Sequence, residues 1–260
     1  MTGPARVLTE TVHIPLPDGP AMGGYLARPD SDDPAPGVLV GMELFGVSAH
    51  VRDVCEHLAE LGYLALAPDL YHRTAPGVEL PADEAGRARG FALLNQLTRQ
   101  QALADIRAAL SDLRGRSSTL AGMVGLSVGG HVAYLAATEL DLPAVAVLYG
   151  GWIPTTEIPL SRPEPTIRAT AGIISGRVLF LVGEHDPLIP PAQRRQLIGA
   201  LTEAGVEHEL VEYAGAGHGF LCQRRDSYHP AAACDAWRRI DQLLADTGPG
   251  QQSSAGPTVA

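Results

Sequence analysis

The sequence predicts an α/β fold, a mostly parallel sheet flanked by helices, with an antiparallel hairpin at its N-terminal edge. Three observations predict it. Apolar runs such as Gly37–Gly41 (GVLVG) and Val178–Val182 lack polar alternation, as strands buried on both faces require. Segments with apolar residues three and four apart lie between such runs. Strands alternating with helices imply parallel crossover units.

The elements follow in order. Val7–Ile14 and Ala21–Ala27 read as extended, with Asp18-Gly19 as a hairpin turn between them. Gly37–Gly41 is the first buried strand. Val51, Val54, Cys55 and Leu58 share one helix face, and Gly62 closes that helix. Tyr63–Ala67 is the next strand. Leu103, Ile106, Leu110 and Leu113 mark a helix. The strand Ala121–Gly125 then leads into a helix from Ser127 to about Thr138. Ala144–Leu148 and Val178–Val182 are strands, Pro191–Ala204 a helix, and His208–Tyr213 a last strand. Ala233, Trp237, Ile240 and Leu244 line one face of the final helix. Residues 1–246 read as a single catalytic domain, and the Gly- and Pro-rich Thr247–Ala260 as a flexible tail. Trp152–Gly172, with four prolines and no periodicity, reads as a loop or short helix over the site.

Composition narrows the function. A chain of 260 residues, 45% hydrophobic and 18% charged, buries a core without disulfides or metals. With 29 acidic against 19 basic residues the net charge is -10, which argues against nucleic acid and anionic membranes as partners. Three cysteines, Cys55, Cys222 and Cys234, make no disulfide framework and fit reduced thiols in the cytoplasm. The first residues lack the layout of a signal peptide, and no apolar run is long enough to span a bilayer. Nine scattered histidines suggest no metal site, and no cofactor is expected.

The motif that carries chemistry is Gly125-Leu126-Ser127-Val128-Gly129, between a strand and a helix. A sharp strand-to-helix turn lifts a serine clear of the sheet, and small residues two before and two after let the backbones meet. His218, in Gly215-Ala216-Gly217-His218-Gly219-Phe220, follows a strand and supplies a base. Asp186, in Gly183-Glu184-His185-Asp186-Pro187, follows another strand and supplies an orienting carboxylate. The chain order Ser127, Asp186, His218 is that of the α/β-hydrolase fold. Glu43-Leu44-Phe45-Gly46 follows GVLVG, so the N–H groups of Leu44 and Val128 are the expected oxyanion hole. Glu43 is read either as a site carboxylate, a hydrogen-bond partner or auxiliary base, or as a surface cap of the next helix. Phe45, Tyr71, Tyr149, Trp152 and Phe220 are candidates for substrate contacts. His131 and Cys55 read as packing residues, Cys222 as a partly buried structural thiol, and His185 as a loop residue.

These residues resemble the dienelactone hydrolase family over Val7 to Leu244, most specifically in ELFGVSAHVRDVCEHLAELGYLALAPDLYHR from Glu43 to Arg73. The resemblance implies a hydrolase without a large lid domain that opens esters or lactones without metal or organic cofactor. It puts Ser127 at the nucleophile position, Asp186 at the acid and His218 at the base, and matches Glu43 to a glutamate that contacts the nucleophile. Two departures stand out. The family's best-studied members carry cysteine where this chain has Ser127. Dienelactone-cleaving members carry an arginine four residues after the histidine; here that residue is Cys222, with Arg224 and Arg225 out of register.

The expected reaction is hydrolysis of a small ester or lactone through a covalent acyl-enzyme. The alternatives are cyclisation, acyl transfer or elimination at the same site, and a non-catalytic binding protein on the same fold. A homodimer through an exposed edge helix or strand is compatible with the pattern.

Overall fold

In the computed structural model, residues 6–246 are described, apart from 18, 174 and 175. Asp18 of the expected hairpin turn and the expected tail 247–260 lie outside the described residues.

Eight strands form one sheet: β1 (Val7–Ile14), β2 (Met22–Pro29), β3 (Gly37–Gly41), β4 (Leu64–Pro68), β5 (Leu120–Leu126), β6 (Ala144–Leu148), β7 (Arg177–Gly183) and β8 (His208–Tyr213). Their order is β1-β2-β4-β3-β5-β6-β7-β8. β1 and β2 pair antiparallel, as does β2 with β4, and every later pairing is parallel. The expected α/β architecture and its antiparallel edge are therefore both present. Every residue of β3, β4 and β6 is buried, which explains why these strands are unbroken apolar runs.

Among the described residues six α-helices cover the sheet: α1 (Ala49–Glu60), α2 (Glu84–Leu94), α3 (Arg99–Arg116), α4 (Val128–Ala137), α5 (Pro191–Glu203) and α6 (Pro230–Ala245). From β3 the chain steps outward through α1 to β4, and from β5 it steps the other way through α4 to β6. Right-handed crossovers in opposite directions put α1 and α4 on opposite faces. α1 and α6 share a face, where the His57 and Trp237 rings meet at 4.3 Å. The direction reverses between β3 and β5, and the carboxyl ends at such a switch point form a crevice. Both the Glu43 loop and Ser127 emerge there.

α2 was not expected from the sequence. Its buried residues, Gly86, Gly90, Leu93 and Leu94, do have helical spacing, but two of the four are glycines. A buried face written in glycine carries no apolar signal. Asp83 caps the helix by accepting from the Gly86 N–H at 2.7 Å. The proline-rich stretch 152–172 forms two 3-10 segments, Pro159–Ser161 and Thr166–Gly172. Among the described residues, no helix is long and apolar enough to cross a membrane.

Candidate active site

β5 runs straight into α4, and the single residue at the bend is Ser127, with φ 55° and ψ -112°. A serine with positive φ is strained and persists only where its surroundings enforce it. Here they do. The Ser127 N–H donates to the Leu148 carbonyl of β6 at 3.0 Å, and its carbonyl accepts from the His131 N–H at 3.1 Å. Glycine is obligatory around the bend: a Cβ on Gly125 would lie 2.1 Å from the Gly129 carbonyl oxygen, and one on Gly129 would lie 2.2 Å from that of Gly41.

Ser127 Oγ lies 2.9 Å from His218 Nε2, and His218 Nδ1 lies 2.9 Å from Asp186 Oδ2. The other Asp186 oxygen accepts from the Leu188 N–H at 2.9 Å. The carboxylate is 3% exposed, so it has little water to compete for its orientation. With Asp186 accepting at Nδ1–H, Nε2 is left as the acceptor for the serine hydroxyl. Two cross-ties fix the loops. The His185 N–H donates to the Ala216 carbonyl at 2.9 Å, and the Gly215 N–H donates to Glu184 Oε2 at 2.9 Å. From below, the buried Arg194 guanidinium donates to the carbonyls of Ile189, Gly183 and Glu184 at 2.7, 2.9 and 2.9 Å. Arg194 carries no sequence signal, since its bonds run to three backbone carbonyls. His185 itself is 69% exposed, as expected of a loop residue.

Val128 opens α4, where a backbone N–H has no intrahelical acceptor. Leu44 lies across the switch point, 7% exposed; its carbonyl accepts from the Tyr71 hydroxyl at 3.2 Å. Tyr71 is buried and steadies the Leu44 loop.

Glu43 is 1% exposed, so it does not cap a surface helix. Both its oxygens pair with the Arg225 guanidinium, which also lies 4.8 Å from the centre of the Phe45 ring. Arg225 reaches this position through two successive turns, with the Cys222 N–H bonded to Gly219 at 3.0 Å and the Arg225 N–H to Cys222 at 3.2 Å. A register count could not show this. Arg224 pairs with Asp53 at the surface instead. Cys222 is fully buried, more so than expected, and burial pushes its thiol pKa up.

The far wall is aromatic. Tyr149 stands edge-on to the His218 ring at 5.0 Å and to Phe220 at 5.4 Å, and Phe220 meets Tyr213 at 5.1 Å. Phe220 is fully buried within this stack. Trp152 is 8% exposed and meets Phe91 of α2 edge-on at 6.2 Å. Tyr149 and Trp152 both have positive φ, 41° and 62°. Their turn is pinned by His131, whose Nδ1–H donates to the Gly151 carbonyl at 2.9 Å. That bond assigns the tautomer, so Nε2 accepts from the Thr166 hydroxyl at 2.9 Å. Arg99 in turn donates to Thr166 Oγ1 at 3.0 Å. Burial lowers the His131 pKa to about 4, which keeps the ring neutral as this network demands. His131 is thus a buried residue as expected, with a bonding role that its sequence position did not show.

Among the described residues no group of His, Cys, Asp or Glu side chains is arranged to hold a metal ion. The chain matches the model of the dienelactone hydrolase family over residues 22–248. It is 33% identical to the carboxymethylenebutenolidase of Pseudomonas putida, over 91% of this chain and 97% of that protein. A Synechocystis sp. protein provisionally given the same name is 36% identical, over 86% of this chain and 91% of that one. In structure, the chain resembles a Klebsiella pneumoniae protein provisionally described as a dienelactone hydrolase. The TM-score is 0.82 with 30% identity, covering 92% of this chain and 99% of that one.

Proposed function

The chain belongs to the dienelactone hydrolase family, which makes it a hydrolase of esters or lactones, and we propose that it works by two-step acyl transfer from Ser127. The observation that carries this reading is the unbroken hydrogen-bond chain from Ser127 through His218 to Asp186. As Oγ attacks the carbonyl carbon, its proton passes to His218 Nε2, and Asp186 steadies the imidazolium. The carbonyl oxygen becomes an oxyanion held by the N–H groups of Leu44 and Val128. The tetrahedral intermediate collapses, His218 returns the proton to the leaving oxygen, and water releases the acyl group by the same route.

The substrate this site favours is small and uncharged. Arg225 already neutralises Glu43, and both groups are largely buried. A substrate carboxylate that took Arg225 would strand the Glu43 charge, at a cost of about 3–5 kcal/mol. Glu43 is then no auxiliary base; it holds Arg225 against Phe45.

A fluorophosphonate probe tests the nucleophile. Wild-type protein is expected to label at Ser127 and to turn over phenyl acetate, and Ser127→Ala to do neither. Undiminished turnover by Ser127→Ala would overturn the reading. Failure of the folded wild type to label would favour a binding protein.

A further inference from the structure

The Tyr149 hydroxyl has a proton to donate and no acceptor among the described residues. It is fully buried, and among the described residues it has no hydrogen-bond partner. Other tyrosines here behave differently. Tyr25 bonds Glu56, Tyr63 bonds Asp241, Tyr71 bonds Leu44, Tyr134 bonds Thr170 and Tyr213 bonds Asp235. Buried tyrosine hydroxyls usually find partners, because an unsatisfied one forfeits its hydration for nothing. The exception stands edge-on to the His218 ring, at the tip of β6.

The backbone around it is also unusual. A tyrosine with φ 41° is strained, and Trp152 three residues on is strained too. Burial acts most on the hydroxyl, and Glu43 and Arg225 are the charges that act on it next. Neither is bonded to it: Glu43 is paired with Arg225, and Arg225 only donates. Burial raises the Tyr149 pKa well above its ordinary value, so the group stays protonated wherever the protein is folded.

A simple ester or lactone brings two oxygens. If Ser127 is the nucleophile, as proposed above, the carbonyl oxygen belongs to the N–H groups of Leu44 and Val128. The alkoxy oxygen remains, and it leaves on the side of His218, which protonates it. We propose that the Tyr149 hydroxyl donates a hydrogen bond to this leaving oxygen as the carbon–oxygen bond breaks. Tyr149 keeps its proton throughout; the proton that leaves with the alcohol is the one His218 took from Ser127.

Tyr149→Phe removes one oxygen atom and keeps the ring. The test compares kcat/KM for phenyl acetate with that for S-phenyl thioacetate, whose leaving sulfur is a poor acceptor, alongside the thermal midpoint. The expected result is at least a tenfold loss on the oxygen ester and less than threefold on the thioester. The midpoint should be unchanged or higher, because the hydroxyl has no protein bond to lose. Equal losses on both esters, or no loss on either, would overturn the proposal. So would a midpoint lowered by several degrees, which would show an acceptor inside the protein. Ser127→Ala separates the two readings: turnover in that variant counts against the nucleophile, whereas a silent Ser127→Ala beside an unaffected Tyr149→Phe counts against the leaving-oxygen bond alone.

Discussion

Asp186 and His218 hang from the ends of β7 and β8, whereas Phe91 of α2 and Trp152 of the turn after β6 meet each other. The first pair is held from several sides. Asp186 has a backbone donor, His218 has two side-chain partners, and the two loops are tied to each other. The second pair touches edge to edge, and Phe91 remains 39% exposed. One region fixes the proposed triad through several hydrogen bonds. The other lies over the Leu44 loop as cover, with its hold concentrated in a few contacts: His131 on Gly151, and Gly90 on Leu44. Substitutions in the two regions should therefore fail in different ways.

The sharpest break is expected from Asp186→Asn. An amide that donates to His218 Nδ1 forces the proton onto Nε2, which then cannot accept from Ser127. Turnover should fall by about 10⁴-fold, with the fold intact. Steady-state kinetics with circular dichroism checks both parts. A loss under tenfold would mean that Asp186 is one support among several.

The fixed region is also the one the sequence reveals. Gly125 and Gly129 are forced by backbone contact at the bend, so they must flank Ser127 as a motif whatever else changes. Asp186 and His218 sit just past apolar runs, and a parallel sheet puts strand ends together. The covering region is hidden for physical reasons. The buried face of α2 uses Gly86 and Gly90 where a helix stripe would show leucines. Arg225 comes back to Glu43 through two turns, which no count of residues from His218 anticipates. His131 bonds a backbone carbonyl and a threonine, neither of which advertises a partner.

The cover should depend on pH through His131. Its pKa is about 4 when folded, against an ordinary 6.5. The unfolded chain therefore binds an extra proton in the window between these values. Stability from this group is complete above about pH 6.5 and is lost as pH falls towards 4, by about 3 kcal/mol. Denaturant unfolding from pH 7 to 4 measures it. His131→Gln, which has no titrating group, should show a shallower slope over that window. An unchanged slope would place the acid sensitivity elsewhere; His50, whose pKa burial also lowers, is the next candidate.

Gly90→Ala probes the contact between α2 and Leu44. A Cβ at position 90 would lie 2.7 Å from both Leu44 Cγ and the Leu44 carbonyl oxygen. The leucine side chain can turn aside, but the carbonyl moves only with its peptide, and the Leu44 N–H shares that stretch of backbone. Displacing this proposed oxyanion donor should cost transition-state stabilisation more than substrate affinity. The expected change is about a tenfold fall in kcat with little change in KM. Gly86→Ala is the control. Its Cβ would meet the Pro81 carbonyl oxygen at 1.8 Å, which disturbs the start of α2 away from Leu44. If α2 merely shields the site, the two variants should resemble each other and act mainly on KM. If Gly90 sets the position of Leu44, only Gly90→Ala should slow the chemistry, and the covering region then contributes to the reaction through one helix position without a side chain.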